Sequence, residues 1–195
     1  MKNPLTAERI KRDGALWGNT TIAQAAWRKA QERPDEVAIY LEGEASITYG
    51  SIADEARRLV TGLQTLGMKA GDVISFQLPN WRESVVVDIA ASAMGLIVNP
   101  VIPIYRDHEL RFILKDVGAR LIYIPERVRS LEFPSMLASL RAELPDLEYV
   151  VTVRAEGQHD DMLCYEDLVE NVQVDLNTLP TVDPNSVKAI LYTSG

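Results

Sequence analysis

Val73-Ile-Ser-Phe-Gln-Leu78, stopped by Pro79-Asn80, is followed by Trp81-Arg-Glu-Ser-Val-Val-Val-Asp-Ile-Ala-Ala-Ser-Ala-Met94, by Gly95 and by Leu96-Ile-Val-Asn99. A short apolar run, a segment of helical length and a second apolar run read as strand, helix and strand. Trp81, Val85, Ile89, Ala93 and Met94 fall along the inner side of that helix, and Gly95 closes it. Pro100 and Pro103 keep the next stretch from being helical.

The pattern continues toward the carboxyl terminus. Asp107 caps a helix bearing Leu110, Ile113, Leu114 and Val117, with Gly118 after it, and Leu121-Ile-Tyr-Ile124 is a buried strand. Pro134 suits the first turn of a helix holding Leu137, Leu140 and Leu144. Tyr149 to Val153 is a strand, Glu156 to Asp161 a polar loop, Tyr165 to Val169 a short helix and Leu176 to Pro184 a connector. Strands that alternate with helices predict a layered α/β/α fold with a mostly parallel sheet.

Toward the amino terminus, Ile52, Ala56, Leu59, Val60, Leu63 and Leu66 share one helix face while Glu55, Arg57 and Gln64 face out. Thr48 or Ser51 caps this helix and Gly67 ends it. Val37, Ile39 and Leu41 form a strand, Glu42-Gly-Glu44 a turn and Ile47-Thr-Tyr49 the returning strand. Thr20 or Thr21 caps a helix with Ile22, Ala26, Trp27 and Ala30 on one side, and Met1 to Asn19 is a loose arm. Residues 1–49 are expected to belong to an incomplete second subdomain, and residues 50–195 to the α/β subdomain.

The chain ends in Asp183-Pro-Asn-Ser-Val-Lys-Ala-Ile-Leu-Tyr-Thr-Ser-Gly195. Val187 to Tyr192 reads as a buried strand built on Val187, Ile190 and Leu191, with Lys188 at its solvent end. Thr193, Ser194 and Gly195 then open a loop suited to an anion: glycine lets the backbone approach, and hydroxyls add donors. Ligands of parallel sheets sit beyond the carboxyl ends of the strands, where this tripeptide falls. The common triphosphate loop, with Gly-Lys-Ser/Thr after four residues, is absent.

The formal charge of −8 over 195 residues argues against nucleic acid and against adhesion to anionic membrane. Cys164 is the only cysteine, which points to a reducing cytosol and excludes a cysteine metal cluster or an internal disulfide. No run approaches the roughly 18 apolar residues of a membrane helix.

The order of motifs resembles the adenylate-forming superfamily of acyl-CoA synthetases, peptide-synthetase adenylation domains and beetle luciferases. The matching stretches are Glu32-Arg-Pro-Asp35, Ile47-Thr-Tyr49, Leu66-Gly-Met-Lys-Ala-Gly-Asp72, Leu78-Pro-Asn80, Asn99-Pro100, Tyr105 to Leu114, and Ala189-Ile-Leu-Tyr-Thr-Ser-Gly195. Asn99-Pro100 followed by Tyr105-Arg-Asp107 looks more like a CoA ligase than a peptide-synthetase domain. The resemblance implies a small carboxylic acid, ATP, Mg2+ and CoA as substrates and cofactors, and Thr193, Ser194 and Gly195 as binders of the ATP phosphates. It also implies that the hairpin pairs with a sheet supplied by later sequence. The loop lysine, the adenine and ribose motifs and a C-terminal-domain lysine have no counterpart here. The chain is therefore expected to be an inactive N-terminal portion of the enzyme, with no catalytic residue or metal ligand of its own. Apolar surface around the hairpin and the Leu59/Leu63 helix is expected to drive self-association.

Other polar residues read as ordinary surface or core: His108 in a first turn, His159 with Asp160 and Asp161 in a loop, Cys164 buried, Trp27 and Trp81 in packing, and Arg57, Arg58 and Arg127 to Arg129 solvated. Tyr105-Arg106 is the exception, because prolines fix its approach. Two rivals stand beside the ligase: an adenylation domain that loads a carrier protein, and a free-standing α/β module that binds without catalysis.

Overall fold

In a computed structural model, residues 19–43, 45–170 and 173–193 are described. Met1 to Gly18 of the amino-terminal arm, with Trp17, and Glu44, Asn171, Val172, Ser194 and Gly195 lie outside them. Helix α1 (Ile22–Glu32) starts at Thr21, whose hydroxyl accepts from the Gln24 N–H while the Gln24 side chain accepts from the Thr21 N–H. Ala23 and Ala30 are its buried residues and Ile22 is exposed. Strands β1 (Val37–Ile39) and β2 (Ile47–Thr48) pair antiparallel. Helix α2 (Tyr49–Thr65) is capped by Thr48. It closes with Gly67 in the left-handed region (φ +73) and a Met68 N–H to Leu63 carbonyl bond of 3.1 Å, the Schellman pattern.

Then come β3 (Val73–Phe76), α3 (Arg82–Met94), β4 (Ile97–Pro100), α4 (Asp107–Val117) and β5 (Ala119–Pro125). A small ribbon of β6 (Arg127–Val128) and β7 (Leu131–Glu132) precedes α5 (Phe133–Leu140), β8 (Tyr149–Val153), β9 (Leu163–Cys164) and α6 (Tyr165–Val169). The main sheet has the order β4-β3-β5-β8-β9, all pairs parallel, which confirms the α/β expectation. Alternate residues of its strands feed two cores. Ile74, Leu121, Tyr123 and Val151 face α1, α2, α3 and α6, whereas Val73, Ile122, Ile124 and Val150 face α4 and α5. At the amino-terminal rim Arg120 bonds Asp72 and forks onto Glu148 (2.8 and 2.6 Å), tying together the chain at the starts of β3, β5 and β8.

Several local expectations fail. In α3, Val85 is exposed while Val86 and Val87 are fully buried, because the helix is covered by the sheet, α1 and α2 and so lacks a single inner stripe. Trp81 precedes that helix rather than lying on its face. Asp107 is the first helical residue of α4, not its cap; the Arg106 N–H donates to Glu109 Oε2 at 3.2 Å. Glu55, expected in solvent, is 6% exposed. Leu59 and Leu63 are fully covered, since α6 and α3 pack on α2, so this helix leaves no apolar face for self-association.

Candidate functional site

The carboxyl ends of the parallel strands gather three segments. After β3, Gln77 is fully buried, and its Nε2 donates to the carbonyls of Ile102 (3.2 Å) and Tyr105 (3.0 Å). It therefore shapes the loop that follows β4. Arg106 donates from one guanidinium nitrogen to the carbonyls of Pro103 (2.8 Å) and Tyr105 (2.7 Å), so in the Tyr105-Arg106 stretch the guanidinium is engaged by its own loop.

The third segment is the last. Ala189 bridges Val98 in parallel, with the Val98 N–H donating to Lys188 (3.0 Å) and the Ile190 N–H donating to Val98 (2.9 Å). This corrects the expected strand Val187–Tyr192: the pairing is a single bridge on the outer edge of β4, and Tyr192 lies beyond it. Two causes are visible. Pro100 has no N–H with which to continue the ladder, and β4 is the only described strand beside the segment. Burial departs from expectation at Val187, Leu191 and Lys188 and agrees with it at Ile190. Lys188, Ile190 and Tyr192 turn inward, while Val187 (50%) and Leu191 (70%) are exposed. Lys188 Nζ meets Asp88 Oδ1 of α3 at 2.7 Å. Tyr192 donates to Asp116 and packs edge-on against Phe112 of α4, with centroids 6.1 Å apart. Burial and then the Asp116 carboxylate push its phenol well above the ordinary tyrosine range. Thr193 is exposed, past the bridge in the direction that leads off the carboxyl end of β4. Ser194 and Gly195 fall outside the described residues.

Beside the ends of β3 and β8 lies a charged network with no sequence signal. Glu83, 4% exposed, accepts a forked pair of bonds from Arg154 (2.9 and 3.0 Å), which follows β8 and stacks on Trp81 at 4.4 Å. Arg82 reaches Glu55 at 3.5 Å, and Tyr165 donates to Glu55 at 2.9 Å. Burial first, then Glu55, holds the Tyr165 phenol far above its usual range. The 71 positions between Glu83 and Arg154 are why neither residue announces the other. The pair is charge-balanced and fastens the first turn of α3 to the residue that follows β8.

The remaining candidates settle plainly. His108 is exposed on α4, and His159 pairs with Glu126 at 2.9 Å. Cys164 is half-buried in β9. Arg57 bonds Asp54 and covers the Trp27 ring at 4.8 Å, and Arg127 pairs with Glu132. Among the described residues no helix is long and apolar enough to cross a membrane.

A family model described as AMP-binding enzyme matches residues 26–195. The chain belongs to the AMP-binding enzyme family. This AMP-binding chain is 28% identical over 184 residues to the medium-chain fatty-acid–CoA ligase of Escherichia coli, covering 94% of the chain and 32% of that enzyme. It is 27% identical over 190 residues to the 2,3-dihydroxybenzoate-AMP ligase of Bacillus subtilis, covering 97% and 33%. Among solved structures, apo MbtA of Mycobacterium smegmatis superposes with a TM-score of 0.84 at 22% identity, covering 99% of this chain and 35% of that one. The likeness to MbtA bears on the fold. The AMP-binding chain thus spans about a third of the length of the relatives it matches.

Proposed function

We propose that the chain is the N-terminal portion of an ATP-dependent carboxylic acid–CoA ligase. In that reaction a carboxylate attacks the α-phosphate of ATP, forming an acyl-adenylate and releasing pyrophosphate. The CoA thiol then attacks the acyl carbon, and AMP leaves. Thr193, Ser194 and Gly195 would begin the loop that holds the ATP phosphates, with backbone N–H groups and hydroxyls as donors. The supporting observation is the parallel bridge of Ala189 with Val98, which aims the chain at the carboxyl-terminal edge of the sheet. Among the described residues no three of His, Cys, Asp or Glu gather as a metal site would. The hairpin β1–β2 belongs, in the same reading, to a sheet completed by later sequence, whereas α1, also within residues 1–49, packs on α2 and α3 of the α/β subdomain. A cytosolic site suits the single half-buried thiol of Cys164.

Similarity to an aryl-AMP ligase of nearly the same extent supports a second reading, in which the acyl group passes to a carrier protein instead of CoA. The reading frame after Gly195 tests the enzyme reading. Thr-Thr-Gly followed by Pro-Lys-Gly is expected, and a stop codon directly after Gly195 would favour a free-standing binding module. The 195-residue chain mixed with ATP, CoA and a panel of acids is expected to release no pyrophosphate above blank. Clear release would overturn the incomplete-enzyme reading. Thioester formed by the extended protein with free CoA separates the ligase from the carrier-loading alternative.

A further inference from the structure

The ladder between β4 and the last segment should continue by one bond. In a parallel pairing with Val98 opposite Ala189, the next donor after the Ile190 N–H is the N–H of residue 100, aimed at the Ile190 carbonyl. Residue 100 is proline and has no N–H. The Ile190 carbonyl is nonetheless bonded, because Asn99 Nδ2 donates to it at 2.9 Å. Asn99 is fully buried, and its other amide atom, Oδ1, accepts from Ser75 Oγ at 2.9 Å. A carbonyl can only accept, so the atom facing Ile190 must be the amide nitrogen, and Ser75 then serves the oxygen.

We propose that Asn99 is a positioning residue: its side chain stands in for the donor that Pro100 lacks and fixes the point after Ile190 at which the chain leaves the sheet toward Thr193. The proposal rests on the phosphate-loop reading for its purpose, but the clamp itself does not. Val187 and Leu191 face solvent, so apolar burial does little to hold this segment. Its hold comes from the two bridge bonds, the Asn99 amide, the Lys188–Asp88 pair and the Tyr192–Asp116 bond. Proline at position 100 ends the pairing and lets the chain depart, while the preceding asparagine keeps the departing strand in register.

The test is amide hydrogen exchange on the 195-residue chain without nucleotide, comparing Ile190 with Ile122 in the central strand. Asn99→Asp, which puts a carboxylate oxygen against the Ile190 carbonyl, is expected to speed exchange at Ile190 about tenfold or more and to leave Ile122 within twofold. Adding Pro100→Ala restores a backbone donor and is expected to recover most of the lost protection. Asn99→Leu, which fills the same space without a donor, should behave like Asn99→Asp; a packing role alone would leave Ile190 unchanged in it. Should Asn99→Asp not fold, Ser75→Ala is expected to give a smaller, equally local loss. Equal acceleration at Ile190 and Ile122, or no recovery with Pro100→Ala, would overturn the proposal. Because nucleotide is absent, a failed phosphate-loop reading would leave these results standing.

Discussion

Gly62 sits three residues from the end of α2, where helix propensity favours alanine by about 1 kcal/mol. The packing reverses that sign. A Cβ built on Gly62 would lie 2.4 Å from the Leu168 carbonyl oxygen and 3.0 Å from the Leu168 Cβ, and a backbone atom cannot swing aside. Helix α6 would have to back away by close to an ångström, taking with it buried Tyr165 and Val169 and the Tyr165–Glu55 bond. Overpacking of this kind costs about 1–3 kcal/mol and occasionally more. With a backbone oxygen as the obstacle, the upper end applies, and subtracting the propensity gain leaves about 2 kcal/mol. For a chain of this size that is a fall in Tm of about 4–8 °C. Thermal unfolding followed by circular dichroism measures it, with Gly67→Ala alongside as a control. Gly67 has positive φ and nothing within 4 Å, so alanine there carries backbone strain of about 1 kcal/mol and no clash. A Gly62→Ala chain that melts at or above the parent temperature would refute the close packing of α2 on α6.

Glu83→Gln removes a buried charge from its forked pair with Arg154 and is expected to cost about 2 kcal/mol, a breakage value reduced because the Arg154 side chain is 31% exposed. A urea midpoint unmoved in that variant would count against the network. Arg120 holds the Glu148 carboxyl below its ordinary range. That pairing contributes stability above the unfolded carboxylate pKa of about 4.3 and loses it as pH falls toward the lowered folded value. Glu148→Gln should flatten the acid limb of a stability-versus-pH curve below about pH 5, and an unchanged limb would exclude the pair as its source. Self-association is expected through Tyr40, Ile104, Phe112 and Leu191, which are exposed, rather than through α2. A compact monomer by light scattering at high concentration would contradict it.

Elements whose own residues decide them were legible. Tyr149–Val153 is a strand and Tyr165–Val169 a helix at the very residues that periodicity marks. The parallel sheet followed from strands and helices taking turns. Helix α3 misled because it is enclosed on several sides, and a helix of that kind has no stripe to read. Glu55 looked solvent-facing because a phenol 110 positions away, Tyr165, cannot be seen from α2. The final segment misled for a different reason: Val187 and Leu191 are apolar yet exposed, while Lys188 and Tyr192 have the inward side-chain partners. The amide that bonds the Ile190 carbonyl was not legible, since Asn99 acts across 91 positions.

Arg120 gives the molecule an asymmetry with a long reach. Its ties to Asp72 and Glu148 secure the rim of the sheet opposite Thr193. A scaffold anchored at its back keeps its strand alignment when front loops such as Pro103–Arg106 are lengthened or rewritten. Changes can then accumulate in the front loops while the tethered back stays as it is.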